Sequence, residues 1–165
     1  GLYHEVYVGG NIGSSLITKL DELRADDLAV MELSSFQLEL MTCSPQVGLI
    51  TNITPNHLDR HGTMEAYTQA KARILDFQKA GDWAVLNRDD PGAWGLVGRV
   101  KGHLAAYSLH ELPAGEVGAF RATSWWCVFR MRGTLSGSTA CRSPWWSCAA
   151  STTWLTPWRP APQRP

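Results

Sequence analysis

Leu28-Ala29-Val30-Met31-Glu32-Leu33-Ser34-Ser35-Phe36-Gln37-Leu38-Glu39 is the stretch that decides the fold of this chain. Its first six residues are apolar apart from Glu32, which is the length and composition of a buried strand. The next six suit a short helix. A strand passing directly into a helix is the unit of an α/β fold, in which parallel strands are joined through helices. Glu32 closes the strand with a carboxylate, and an unaccompanied buried carboxylate is costly. It must therefore be solvated, paired or bound to a metal ion.

The alternation continues on both sides. Upstream, Val6-Tyr7-Val8 is a β-prone run closed by Gly9-Gly10-Asn11-Ile12-Gly13. Ser14 or Ser15 can then cap a helix carrying Leu16, Leu20 and Leu23. Downstream, Val47 to Ile53 is a second apolar strand, halted by Pro55. The spacing of Tyr67, Ala70, Ile74 and Phe77 predicts a helix from Thr63 to about Lys79, with Gly81 just past its end. Trp83 to Asn87 is another strand, Asp89-Asp90-Pro91 opens a further helix, and His103 to Leu109 is expected to be the last strand. The expected fold class is α/β: a doubly wound, mostly parallel sheet with flanking helices, covered on both faces, followed by an irregular tail.

Composition divides the chain at about residue 116. Residues 1–116 hold 15 acidic side chains against 9 Lys and Arg. Residues 117–165 hold six Arg but no Asp, Glu or Lys, together with six of the eight Trp and three of the four Cys. Runs such as Ser124-Trp125-Trp126-Cys127 and Pro144-Trp145-Trp146-Ser147-Cys148 follow neither a helical nor a strand period. An aromatic-rich segment of this kind is a poor example of a disordered tail. Its composition is that of a GC-rich gene translated out of frame, with a frameshift between about Glu116 and Ser124; an aromatic-rich extension is the alternative. Cys127, Cys141 and Cys148 lack CxxC spacing and a nearby His, which argues against zinc. No nucleic-acid partner is expected. No run of 18 apolar residues is present to span a membrane, and no basic start and apolar stretch marks a secretory leader, so a cytoplasmic protein is expected. The first residue is not Met, and the start reads as a cut inside a longer chain.

Three loops follow strand ends: Gly9 to Gly13, Glu32 to Gln37, and Asn52 to His61. In a doubly wound sheet such loops converge on a ligand. Gly10-Asn11-Ile12-Gly13 offers backbone amides at a helix start, which suits an anion, although many such turns are merely turns. His57 lies in a polar loop, where it is either solvent-facing or a ligand to a divalent ion. Lys71, on an apolar helix, either snorkels to water or reacts with CO2 as a carbamate, turning a cation into an oxygen ligand.

Five segments occur in order: Gly10-Asn11-Ile12-Gly13; Glu32 to Glu39; Asn52-Ile53-Thr54-Pro55-Asn56-His57-Leu58-Asp59-Arg60-His61; Ala70-Lys71-Ala72-Arg73-Ile74; and Leu86-Asn87-Arg88-Asp89-Asp90-Pro91. Together they make the chain resemble the central, ATP-binding domain of the Mur ligases over about residues 5 to 110, and the second segment points to the D-glutamate-adding branch. The resemblance implies an ATP-dependent ligase of peptidoglycan precursor synthesis, and so of cell-wall biogenesis, cell shape and division. Its substrates would be ATP, UDP-N-acetylmuramoyl-L-alanine and D-glutamate, joined through an acyl phosphate, and a monomer is expected. By the same resemblance Glu32, His57 and a carbamylated Lys71 match magnesium-ligand positions. Asn11 and Ser34 match substrate-contacting positions, Asn87 lies near the adenine, and His57, Asn56 and Lys71 form the catalytic group.

Two departures qualify this. Asn56 stands where the family usually has Asp, which removes a negative charge near the metal or ATP. No GxxxxGK[ST] phosphate loop occurs in the 165 residues, so residues 1–116 are expected to be a partial domain and the chain alone to be inactive. A non-catalytic nucleotide or UDP-sugar binding remnant, and a sister Mur or folylpolyglutamate-type ligase, are the competing readings.

Overall fold

The structure, a computed structural model, describes residues 3–56 and 58–121 in full. Beyond these it describes the backbone of 122–123, 126–130 and 139–142. The chain runs β1 (Val6–Gly10), β2 (Leu28–Glu32), α1 (Ser35–Glu39), β3 (Val47–Ile50), α2 (Leu58–His61) and α3 (Met64–Asp76). It continues with β4 (Trp83–Asn87), α4 (Pro91–Trp94), β5 (His103–Ser108), β6 (Gly118–Thr123), β7 (Trp126–Arg130) and β8 (Thr139–Arg142). Among the described residues no helix is long and apolar enough to cross a membrane.

The strands form two sheets. β1 and β2 pair in parallel, and β3 to β8 form a six-stranded sheet in sequence order. Pairing is parallel from β3 to β6 and antiparallel from β6 to β8. Parallel neighbours laid down in sequence order by right-handed crossovers place their connecting helices on one face. That face holds the core: Ile50, Leu86 and Ala106 are buried, together with Leu75 and Ile74 of α3. α3 lies against Gly48 at ordinary contact distance, with Leu75 and Ile74 at 3.4 and 3.5 Å from where a Cβ would stand.

The other face differs from expectation. Val47 and Leu49 of β3 are 58% and 51% exposed, and on the separate β1–β2 pair the consecutive Val30 and Met31, which face opposite ways, are 47% and 50% exposed. Apolar character alone does not bury a strand; a second layer must lie over it, and here the crossovers supply only one.

Helix ends follow local bonds. Thr63 caps α3 by accepting from the Ala66 N–H (3.2 Å). The helix stops before the expected Lys79 because Ser44 Oγ takes the Phe77 N–H (3.0 Å) and Asp82 takes the Lys79 N–H (2.6 Å). The helix expected after Ser15 is a single 3-10 turn, Leu16–Lys19, in which Leu16 is buried while Ile17 and Leu20 are 72% and 59% exposed. Gly9 receives Leu16, whose side chain would lie 2.9 Å from a Cβ there. With one apolar side chain docked, nothing extends the turn.

β5 is not the last strand. Inside the region expected to be irregular, β6 joins β5, and β7 and β8 extend the ladder. The aromatic and β-branched residues of 126–130 suit a pleated strand, and the ladder itself comes from neighbouring backbone, which no local period reveals. The readings placed on Cys148, on 131–138 and on 143–165, the out-of-frame tail among them, lie outside the described residues, as do those on the side chains of Cys127 and Cys141.

Candidate functional site

The candidate residues fall in two groups, at or after strand ends except for Lys71, which is within α3. The first is on the β1–β2 pair. Gly10 lies opposite Glu32 in the register, and the Asn11 N–H donates to the Glu32 carbonyl (2.8 Å), so the first two motifs adjoin through backbone. Gly10 has φ 114°, and a Cβ there would overlap the Glu32 backbone. Glu32 and Asn11 are exposed, which solvates the Glu32 carboxylate, one of the three environments open to it. Ser34 is the N-cap of α1: its hydroxyl accepts from the Gln37 N–H (3.3 Å) and donates to Gln37 Oε1 (2.9 Å). Gln37 Oε1 also accepts from the Ser34 N–H (2.9 Å), closing a capping box. Ser35, buried, shares a 2.9 Å hydrogen bond with His61 Nε2.

The second group is on the six-stranded sheet. Lys71 donates from Nζ to the Asn52 carbonyl (3.2 Å) and lies 5.3 Å from the Tyr67 ring centre. The loop it touches is stitched to β4 and β5. Asn87 Nδ2 donates to the Thr51 carbonyl (2.9 Å), and so does the Tyr107 hydroxyl (3.0 Å). Asp90 Oδ1 takes the N–H groups of Ile53 (3.0 Å) and Ala93 (2.7 Å), capping α4 and anchoring the loop with one oxygen. Asp89 accepts from the Ser108 hydroxyl (2.7 Å) and the Leu109 N–H (2.6 Å). Burial pushes the Asp89 carboxyl up, but these bonds and the neighbouring charges of His110 and Arg88 outweigh it and hold it below the usual carboxylate range. Burial and the charge of Asp90 push the Tyr107 phenol up, so it stays a donor.

Asn11 therefore stands beside Glu32, and Lys71 and Asn87 both touch the loop that carries Asn56. His57 lies outside the described residues. Among the described residues no three His, Cys, Asp or Glu side chains gather as a group that could hold a metal ion. Both ends of the Asn87 amide are used inside the protein, Oδ1 accepting from the Asp89 N–H (2.9 Å). Its visible work is to hold a turn.

Sequence reasoning singled out neither His61, Tyr67, Asp90 nor Tyr107 as a site residue. His61 joins the two groups: its ring stacks on Phe36 (5.0 Å, 3°) and is tilted against Tyr67 (5.3 Å, 54°). The available signal was its place at the end of the Asn52 to His61 segment, directly before Gly62.

Comparison with known proteins agrees with this architecture. Residues 12–116 match the Mur ligase middle domain. The chain is 43% identical over 116 residues to the UDP-N-acetylmuramoylalanine–D-glutamate ligase of Symbiobacterium thermophilum, covering 70% of this chain and 26% of that protein. It is 52% identical over 105 residues to the ligase of that name from Pelotomaculum thermopropionicum, covering 63% and 23%. The chain thus spans about a quarter of the length of these relatives. Among solved structures, a UDP-N-acetylmuramoyl-L-alanyl-D-glutamate–2,6-diaminopimelate ligase superposes with a TM-score of 0.55 at 22% identity, over 88% of this chain and 40% of that one, a likeness of fold. With an α/β fold and residues 12–116 of its 165 matched by that domain, this chain belongs to the Mur ligase family.

Proposed function

We propose that this chain carries part of the nucleotide and precursor site of an ATP-dependent ligase that joins D-glutamate to UDP-N-acetylmuramoyl-L-alanine in the cytoplasm. The observation behind this reading is that Asn11 adjoins Glu32 through backbone beside the Ser34 cap, while Lys71 of α3 and Asn87 of β4 both bond the backbone that leads into the Asn56 loop. In the reaction, the precursor carboxylate attacks the γ-phosphorus of ATP and ADP leaves. The D-glutamate amine then attacks the acyl phosphate, phosphate departs, and an amide remains. Such chemistry is governed by positioning and by compensation of charge.

Asn11 is exposed at a strand end, where its amide can meet the precursor. Ser34 reaches substrate by exchanging its bond to Gln37, since its hydroxyl is occupied by the cap. Glu32, His57 and a carbamylated Lys71 would hold magnesium, which when bound offsets phosphate and carboxylate charge. Until CO2 adds, the Lys71 amine is a donor to Asn52. Asn56, neutral where the family usually has Asp, weakens the local negative field. Asn87 borders the adenine through the turn it holds.

Since no GxxxxGK[ST] is present, these 165 residues by themselves should bind rather than ligate. Calorimetry with UDP-N-acetylmuramoyl-L-alanine tests the reading: saturable heat is expected, and its absence removes it. Release of ADP by the purified chain, dependent on both the precursor and D-glutamate, would show the chain to be a ligase in its own right. The second reading is a non-catalytic nucleotide or UDP-sugar binding module. Binding of UDP-sugars with no preference for the muramoyl-alanine group would select it.

A further inference from the structure

We propose that His61 is a positioning residue that couples the Ser34–Ser35 end of α1 to Tyr67 and Lys71 of α3; the proposal rests on the ligase reading only for the identity of the ligand. The halves stand on sheets that share no strand pairing among the described residues: Asn11, Glu32 and Ser34 follow β1 and β2, while Lys71 and the 52–56 loop belong to the six-stranded sheet. No ladder fixes their separation. Away from the strand ends α1 packs on α3, Leu38 sharing one buried cluster with Tyr67, Ile74 and Leu75, and where α1 begins the two halves meet at one imidazole. It bonds to Ser35, the residue after Ser34, and lies against the Phe36 and Tyr67 rings. The Tyr67 ring in turn faces the Lys71 ammonium at 5.3 Å. Arg60 closes the other end of the stack, with its guanidinium carbon 4.9 Å from the Phe36 ring centre.

The His61 ring is restrained on both sides. Ser35 and Tyr67 are buried, so neither partner is free to follow a displaced ring. Stacked and tilted aromatic contacts at these separations are directional, and a hydrogen bond to a buried hydroxyl fixes the rotation of the ring in its plane. His61 is at the end of the four-residue α2, with Gly62 (φ 76°) turning the chain away, so its backbone place is set before α3 begins. Residues packed into one network lose their contributions together when one is removed, and the Ser35 bond and the Tyr67 contact should behave in that way.

The test reads Lys71 directly in the purified chain. Brief acetylation with acetic anhydride, followed by peptide mass spectrometry, gives the relative reactivity of Lys71 against Lys79 and Lys101. His61→Ala is expected to change the Lys71 rate by on the order of threefold or more while the two reference lysines keep theirs. His61→Phe retains a ring but loses the Ser35 bond, and is expected to give a smaller change. Ser35→Ala should match His61→Phe, and the two together should add nothing further. Affinity for UDP-N-acetylmuramoyl-L-alanine should fall about tenfold in His61→Ala. An unchanged Lys71 rate in His61→Ala, accompanied only by a lower melting temperature, would overturn the proposal and leave His61 as packing. If His61→Ala does not fold, equal Lys71 rates in His61→Phe, Ser35→Ala and the parent overturn it equally. Should the parent bind no precursor, the ligase reading fails while the lysine rates still decide the role of His61.

Discussion

Replacing Asp90 by Ala removes one carboxylate oxygen from two backbone donors at once, the N–H groups of Ala93 (2.7 Å) and Ile53 (3.0 Å). The first is the N-cap of α4, whose loss costs about 1 kcal/mol. The second belongs to a residue 5% exposed, and a buried N–H left without its acceptor costs about 1–3 kcal/mol. No compensating movement is easy, because α4 is already pressed against this loop: a Cβ on Gly92 would lie 2.6 Å from the Ile53 carbonyl oxygen. The expected loss for Asp90→Ala is therefore about 2–4 kcal/mol, and Asp90→Asn, which keeps an acceptor and a good cap, should lose roughly half of that or less. Urea unfolding followed by tryptophan fluorescence measures the total, and hydrogen exchange at the Ile53 amide isolates the loop. Loss within about 0.5 kcal/mol for Asp90→Ala, with Ile53 exchange unchanged, would refute the assignment of Asp90 as the anchor of the loop.

Three further outcomes are expected. Leu75→Ala, at a side chain with no exposed surface beneath Gly48, should cost about 2–5 kcal/mol in the same urea experiment, with a small cost meaning that α3 does not cap the sheet face as described. Asp89 has a carboxyl held below its unfolded value, so its contribution is present above about pH 4 and is lost as pH falls through the folded value. Asp89→Asn should accordingly flatten the acid limb of a stability-against-pH curve, and an unchanged limb would count against the Ser108 and Leu109 bonds. Gly118 has φ 151° and no room for a Cβ beside the Ala106 carbonyl, so Gly118→Ala should destabilise by about 1–3 kcal/mol and speed exchange of the β5–β6 amides. Equal exchange would place β6 elsewhere.

Much of the backbone was legible in the sequence because its signals are local. The apolar run ending at Glu32, the helical spacing of Tyr67, Ala70 and Ile74, and Pro91 at the first turn of α4 each act within a few residues, and each element forms where it was expected. Motif order was legible too, since Glu32, Lys71 and Asn87 sit at strand ends or on helices that the period locates. The illegible features all involve partners distant along the chain. Exposure of Val47 and Leu49 depends on which face the crossovers cover, not on their own apolar character. The strand at 126–130 depends on a ladder to β6. The 3-10 turn at Leu16–Lys19 is short because only Leu16 finds a surface to dock on.

The site divides in the same way. By itself the sequence determined which residue types stand at the strand ends, in what order, and hence the family, because motifs are written in consecutive residues. Only the tertiary structure decided that Asn11 meets Glu32 through backbone, that Asn87 spends its amide on Thr51 and Asp89, and that His61 joins Ser35, 26 residues away, to Tyr67. A hydrogen bond or ring contact forms wherever packing brings two groups within a few ångströms, and separation along the chain does not encode that distance.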